Sequence, residues 1–371
     1  MNNGMRYIGV GGFLGSGKTT TLKRLALHYK EQGFKVGIVT NDQADNLVDT
    51  ENLIGDGNDV EEVAGGCFCC KFNDLVAAIQ SLRENNHADI VLAEPVGSCT
   101  DVVATVISPL LDKWKDKVQV SPHTVLVDPV RAKQILMDYN CDFSGKVIYI
   151  FRKQLEEADI ILVNKIDTIS LSERQILLDS LASEFPEKRV LAASALTGEG
   201  LDEWYNLLEA EFEVGQNIVG VNYEVYAEGE AQLGWLNASV ELSSDKLFDS
   251  NDFALSLSNM LSRKFQEIKS EPAHLKMAVS GQSGFCIVNL VDNIGGPILS
   301  KVAIDLIKQG KLVINARVEI DPEILKTIVF TCLKDLCSHL KIQYTVTKTE
   351  SFRPGRPNPT FRYNAPVSAK G

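Results

Sequence analysis

The chain has 371 residues, 44% of them hydrophobic and 23% charged, with 49 acidic against 37 basic side chains. That is the composition of a globular protein that buries a core without disulfide staples, and the length suggests about two domains. The net charge of −12 argues against a nucleic-acid surface, which needs a basic footprint, and no apolar run is long enough to span a bilayer.

The start, MNNGMRYIGV, runs straight into a strand without a signal-peptide pattern. The cytoplasm is therefore the expected compartment, and the eight cysteines are expected to stay reduced. Over residues 1–213, apolar runs alternate with helix-period segments. The runs are RYIGVGGF, KVGIVTN, ADIVLAEP, TVLVDP, ADIILVNKID and RVLAASAL. The helical segments are 18–31, 73–84, 101–113, 129–138, 171–185 and 201–212. Strands buried on both faces read as continuous apolar runs, so the alternation predicts an α/β domain with a mostly parallel, doubly wound sheet.

The first strand ends in GFLGSGKT, Gly12 to Thr19, which fits the P-loop pattern G-x-x-x-x-G-K-[ST] between a strand and a helix. Gly12, Gly15, Ser16, Gly17, Lys18, Thr19 and Thr20 form the expected phosphate cradle at a helix N-terminus. Lys18 can reach the β- and γ-phosphates, and the Thr19 hydroxyl can ligate Mg2+. A chance glycine-rich turn is the competing reading, and both flanks argue against it. The second strand leads into VTNDQADNLVDT, where Asp42 lies nearest the strand end. Asp42 is expected to hold Mg2+ or orient the attacking water, whereas Asp45 and Asp49 read as solvated loop acids.

GGCFCC follows, with Cys67, Cys69 and Cys70 in four positions. Soft thiolates suit Zn2+, Cu(I) or Co2+, and three ligands leave a fourth place open. A redox pair or small buried hydrophobes are the alternatives, and flanking glycines make poor core patterning. The strand ADIVLAEPVG ends in Glu94-x-x-Gly97. Glu94 is expected near Mg2+, and the Gly97 N–H near the γ-phosphate. Cys99, two residues further on, is a candidate fourth metal ligand present in one nucleotide state only; a small helix-start residue is the plainer reading. Cys141, Cys286, Cys332 and Cys337 read as structural.

NKID, Asn164 to Asp167, ends the next strand run. Asp167 can accept two hydrogen bonds from guanine, which adenine cannot return, so GTP is expected rather than ATP. Asn164 braces neighbouring loops, and the Lys165 stem lies on the base plane. Ser194, Ala195 and Leu196 end the following strand run and can cap the guanine oxygen with backbone N–H.

Residues 214–230 read as a connector and 231–350 as a smaller α+β domain. LNASVEL and INARVEI echo each other as N-A-x-V-E. Each precedes a helical stretch, 252–269 or 322–340, and then a strand run, 274–280 or 342–348. FCIVNLVD and a helix at 297–309 lie between. Two strand–helix–strand copies suggest a ferredoxin-like sandwich. The tail 351–371 is Pro-rich and expected to be extended, with Arg353, Arg356 and Arg362 solvated rather than docked.

Together, GGFLGSGKTT, GGCFCC, LAEPVG, FRKQLEEADIILVNKID and SALTGEGLDEW resemble the CobW-like metallochaperone GTPases. These are relatives of the GTPases that insert nickel into urease and hydrogenase. The resemblance covers about the first 213 residues and implies a P-loop NTPase that hydrolyses GTP. It also implies that Cys67, Cys69 and Cys70 bind a divalent metal, commonly zinc. GTP state would then control delivery to a client metalloenzyme, with possible face-to-face homodimerisation through nucleotide. EPVG departs from the hydroxyl-rich tetrapeptide of many members, VTNDQADN is closer to the urease branch, and no His-rich stretch follows. A regulatory GTPase that senses metal or redox state without delivering it is the alternative. A P-loop kinase is disfavoured by NKID.

Overall fold

The computed structural model describes residues 4–41, 53, 57–137, 143–282 and 284–367. The expected strand runs form β1 (Met5–Gly12), β2 (Val36–Asn41), β4 (Ile90–Glu94), β6 (Thr124–Val127), β7 (Ile160–Val163) and β8 (Arg189–Ala192). Two strands that no apolar run announces, β3 (Asp59–Val63) and β5 (Val118–Val120), join them. β3 reads DVEEV and lies at a sheet edge, where polar side chains keep their water. The order is β3-β2-β4-β1-β6-β7-β8, with β5 beside the first half of β1. Every pair among these strands is parallel.

Helices cover both faces of this sheet. Ile8 and Val10 share a core with Leu22, Leu25 and Tyr29 of helix Lys18–Glu31 and Trp204 of helix Leu201–Glu209. Tyr7 and Val39 belong to the opposite core, with Phe72 and Leu75 of helix Phe72–Asn85 and Ile150 and Phe151 of helix Gly145–Glu157. The last helix was not among the predicted segments. Its Val147, Ile150, Phe151 and Leu155 have helical spacing that the adjoining strand run obscures. The segment 101–113 begins with a π-helical turn, Val103–Ile107, before helix Ser108–Lys113. β1 has β4 on one side and β6 on the other, so a crevice opens at their C-terminal ends.

The second domain is a six-stranded antiparallel sheet in the order β12-β11-β10-β13-β9-β14. Its strands are β9 (Gly234–Phe248), β10 (Pro272–Ser280), β11 (Phe285–Leu290), β12 (Ile298–Lys301), β13 (Ile307–Val318) and β14 (Gln343–Phe352). Removing the β11–β12 hairpin leaves β14-β9-β13-β10, the 4-1-3-2 order of a split βαβ sandwich. The sequence echo sits at its centre: Asn237 pairs with Asn315, whose Nδ2 donates to Asn237 Oδ1 at 2.9 Å. Helices Ser250–Glu267 and Pro322–Leu340 cover one face, N-capped by Asp249 and Asp321. Strand alternation sends Leu275, Met277, Leu312 and Ile314 toward them.

The helix expected at 297–309 does not form. Its start is β12, which pairs with β11, and its end enters β13. Val302 and Ile304 are exposed, so the helix-like spacing carries no buried face. A short β-branched run has no decisive period, and the free edge of β11 takes it up. Within 214–230, helix Tyr223–Gln232 begins, N-capped by Asn222. It packs so tightly that a Cβ on Gly229 would lie 2.6 Å from the Lys146 carbonyl oxygen.

A buried ion pair joins the domains. Arg131 Nη1 lies 2.8 Å from Glu271 Oε1, and both side chains are at most 5% exposed. Arg131 also donates to Gln134 Oε1, Pro272 O and Val291 O and lies 4.4 Å over the Phe143 ring. Glu271→Ala leaves the guanidinium buried without its counter-charge and is expected to cost about 3–5 kcal/mol of unfolding free energy. Urea denaturation of the variant and the parent chain measures this.

Candidate nucleotide and thiol site

The P-loop turns on glycines where side chains have no room. Gly12 has φ +131, and a Cβ there would meet Leu126 O at 2.5 Å. Gly17 has φ +94, and its Cβ would meet Asn164 Nδ2 at 2.4 Å. Lys18 Nζ donates to Gly12 O at 3.0 Å, folded back over the loop it serves. Ser16 Oγ is buried without a hydrogen-bond partner, an orphan that a phosphate oxygen would satisfy. Thr19 Oγ1 donates to Glu94 Oε1 at 3.3 Å, which joins the hydroxyl and the carboxylate expected to share Mg2+. A Cβ on Gly97 would lie 3.0 Å from Lys18 Nζ, so the Glu94–Gly97 corner abuts the cradle. Asp42 lies outside the described residues.

Asn164, the first residue of NKID, ties two loops together. Its Nδ2 donates to Ser16 O at 2.9 Å and its Oδ1 accepts Ala195 N–H at 2.9 Å. That N–H, expected to cap guanine, is thus engaged by Asn164. Lys165, at φ +57, donates to Gly15 O at 2.7 Å and Asp128 Oδ2 at 2.8 Å. Asp167 accepts from Ser194 Oγ at 2.5 Å. Arg24, unremarked in the sequence, holds the loop through Ala195 O at 2.9 Å and Leu196 O. Leu196 itself is exposed.

The thiol loop hangs from β2. Asn41 Nδ2 donates to Val63 O at 2.8 Å and Gly66 O at 2.7 Å, and its Oδ1 accepts Phe68 N–H at 2.8 Å. Asn41 also lines the nucleotide cavity, next to Thr40 and Lys18. Asn41 is not among the residues expected from the sequence, although its place at the end of β2 is legible there. Cys67, Cys69 and Cys70 sulfurs lie within 4.8 Å of one another, and Cys67 Sγ is 3.3 Å from Cys70 Sγ. Cys99 is buried in the same core as Cys67 and Cys69, but its sulfur does not join the group of three. Hydrogen bonds from Cys69, Cys70 and Cys99 hold Cys67 well below the ordinary thiol range. The same bonds to Cys67 raise Cys69 and Cys99 and push Cys70 up to about 11. Soft, mutually close sulfurs fit a thiophilic dication.

The loop carrying Cys99 is tied down on every side. Gln154 Nε2 donates to Gly97 O at 3.0 Å and Cys99 O at 2.7 Å. Ser98 Oγ donates to Glu230 Oε1 at 2.6 Å, and Thr100 Oγ1 and Val103 N–H donate to Glu157. Asp101, at φ +66, accepts from Tyr223 Oη and Arg362 Nε, both at 2.7 Å. Glu157 lies within the quoted run FRKQLEEADIILVNKID and Glu230 at the end of the expected connector, yet neither position carries a pattern that points to the Cys99 loop.

The tail departs from expectation by docking over the thiols. Asn358 N–H donates to Cys70 Sγ at 3.2 Å, Thr360 N–H to Cys69 O at 2.8 Å, and Tyr363 N–H to Ala104 O at 3.0 Å. Phe361 packs edge-on against Phe72, with centroids 5.4 Å apart. The prolines deny it regular structure, and isolated backbone N–H bonds together with the Phe361 ring hold it instead.

Residues 6–191 match the CobW/HypB/UreG nucleotide-binding domain family. The zinc chaperone YeiR of Escherichia coli K12 is 29% identical over 169 residues, 45% of this chain and 48% of that protein. The zinc chaperone CobW of Sinorhizobium sp. is 28% identical over 224 residues, 51% of this chain and 61% of that protein. The chain thus spans about half to three-fifths of these two curated relatives. Among solved structures, HypB from Helicobacter pylori in complex with nickel is 19% identical with a TM-score of 0.40, over 56% of this chain and 86% of that one.

Deleting residues 354–371 is expected to speed modification of Cys70 by a thiol reagent about tenfold or more, since the covering bonds contribute about 1 kcal/mol each. Thiol-reaction kinetics of the folded chain check this. Burial also pushes the Glu157 and Glu230 carboxyls up to about 8, from an ordinary 4.5. Between those values the folded chain keeps protons that the unfolded chain releases, so stability falls as pH rises and levels off above about 8. Urea midpoints across that range test the sign, and Glu157→Gln makes the slope shallower.

Proposed function

The chain belongs to the CobW/HypB/UreG family, and from that premise we propose that it is a GTP-hydrolysing metal carrier whose thiol site answers to the bound nucleotide. GTP occupies the cradle of Gly12, Gly15, Ser16, Gly17, Lys18, Thr19 and Thr20. Asp167 and the Ser194–Leu196 turn read the base. Thr19 and Glu94 hold Mg2+, which when bound supplies charge neutralisation at the β- and γ-phosphates. Water attacks the γ-phosphorus and the bond to the bridging oxygen breaks. Lys18 and the Gly97 N–H stabilise the charge that develops.

Cys67, Cys69 and Cys70 hold the cargo, a soft dication such as Zn2+ or Co2+, and Cys99 completes the set in one nucleotide state. The observation that carries this reading is physical continuity between the two sites. Asn41 lines the nucleotide cavity and bonds the thiol loop three times. Glu94, paired with Thr19, and Cys99, buried in the core that also holds Cys67 and Cys69, are five residues apart on one stretch of chain. A γ-phosphate that moves Gly97 must therefore move Cys99. The names of the relatives, two zinc chaperones, support the class of cargo. A metalloenzyme client in the cytoplasm is the recipient this implies.

Zn2+ titration against a chromophoric chelator, with GDP and then a non-hydrolysable GTP analogue, tests the coupling. The affinities are expected to differ about tenfold or more, a coupling of about 1–3 kcal/mol, and equal affinities would sink it. Cys67→Ser should abolish tight binding. Cys99→Ser should weaken it in one nucleotide state only. The tail over the thiols favours a second reading, a switch that senses metal and retains it. Transfer of Zn2+ to a competing apo-protein, faster with GTP than without, separates carrier from sensor.

A further inference from the structure

The cavity that holds the P-loop has a roof, and the second domain supplies it. Lys18, Thr19, Glu94 and Asp167 share a cavity of about 270 Å³ with His274, Lys276, Asn289, Ser300, Asn315 and Arg317. These roof residues stand on the sheet face opposite the two helices. Alternation along β10 sends Leu275 and Met277 into the core and leaves His274 and Lys276 on the other side. The antiparallel register sets Lys276 between Asn289 and Asn315, and His274 beside Arg317.

The charge of this face is unlike that of the chain. Among the described residues lining the cavity, the second domain contributes three basic side chains and no acidic one. The whole chain has 49 acids against 37 lysines and arginines. Lys276 is only 9% exposed and Arg317 only 2%. Burying cations is costly, and a cavity edged with them suits an anion. Arg317 is committed to its own scaffold: it donates to Asn237 Oδ1 and Ala316 O, both at 2.9 Å, and lies 3.9 Å over the Trp235 ring. Lys276 has the flexible four-carbon stem of a residue that can follow a ligand.

The roof is held against the cradle at named points. A Cβ on Gly15 of the P-loop would lie 2.8 Å from the Val291 side chain, just past β11. Arg131 grips Glu271, Pro272 and Val291, at the base of β10 and the end of β11.

We propose that this sheet face is the second half of the triphosphate site and that Lys276 binds the γ-phosphate, as a cation supplied by the same chain. The proposal rests on the GTP reading above and extends it. P-loop hydrolases commonly receive such a charge from a partner's arginine; here the nucleotide face is already covered by the chain's own second domain. Lys276 neutralises charge on the γ-oxygens as water attacks and the bridging bond breaks, and it transfers no proton. A face-to-face pairing of two nucleotide domains would have to displace the roof first.

The test uses the full-length chain, with fluorescent GDP, a fluorescent non-hydrolysable GTP analogue, and single-turnover hydrolysis of GTP. One charge-assisted bond is lost in Lys276→Gln, so its affinity for the analogue should fall about tenfold or more while GDP affinity stays within about twofold. Its hydrolysis rate should drop by about tenfold or more, and Lys276→Arg should recover much of both. Ser300→Asp, at an exposed roof position, places a repelling charge there and should lower the analogue-to-GDP preference in the same direction. Thermal melting shows that each variant is folded, and Ser300→Asp decides the matter if Lys276→Gln is not. An unchanged analogue-to-GDP ratio in the folded variants overturns the roof and leaves the GTP reading standing. A wild-type chain that binds neither nucleotide overturns both.

Discussion

One side chain joins the wall of the nucleotide cavity to the thiol loop. Asn41 closes β2 and makes three hydrogen bonds to the thiol loop, through Val63, Gly66 and Phe68. It does so from the wall of the nucleotide cavity. An amide offers both donors and an acceptor in one plane, so it can hold a loop at two points at once. The flanking glycines Gly65 and Gly66 give that loop little stiffness of its own. Its shape is therefore borrowed from the strand end, which also walls the nucleotide cavity.

The loop after β4 is built on the opposite plan. Its polar groups are buried, and each finds a partner on a different element: Gln154 and Glu157 on one helix, Glu230 and Tyr223 on another, Arg362 in the tail. Such networks have few intermediate arrangements, because a half-satisfied buried group is expensive. A loop held this way moves as a unit or not at all. That is the behaviour required of a segment that carries Glu94 at one end and Cys99 at the other. The raised carboxyls of Glu157 and Glu230 add to the same effect, since proton-bearing groups donate as well as accept.

Much of the nucleotide domain was legible. Its strands are buried on both faces, so their apolar runs are long and unambiguous, and the P-loop and NKID stand at strand ends where their chemistry needs them. What escaped notice had no such mark. β3 is polar because it lies at an edge. The helix at 145–157 abuts a strand run. The expected helix at 297–309 became β12 because pairing with β11, a contact distant in design if not in sequence, outweighs an ambiguous period.

By itself the sequence determined the local features: a glycine-rich turn between strand and helix, NKID at a strand end, and three thiols that stand together. Those properties depend on residues a few positions apart, whose geometry the chain's own stereochemistry sets. The tertiary structure decided who joins them. Cys99 is buried in the same core as Cys67, Asn358 reaches Cys70 from the far end of the chain, and the β10–β13 face closes over the P-loop. Each of these contacts spans tens to hundreds of residues, and only the packing of sheet against helix and domain against domain brings such positions within reach.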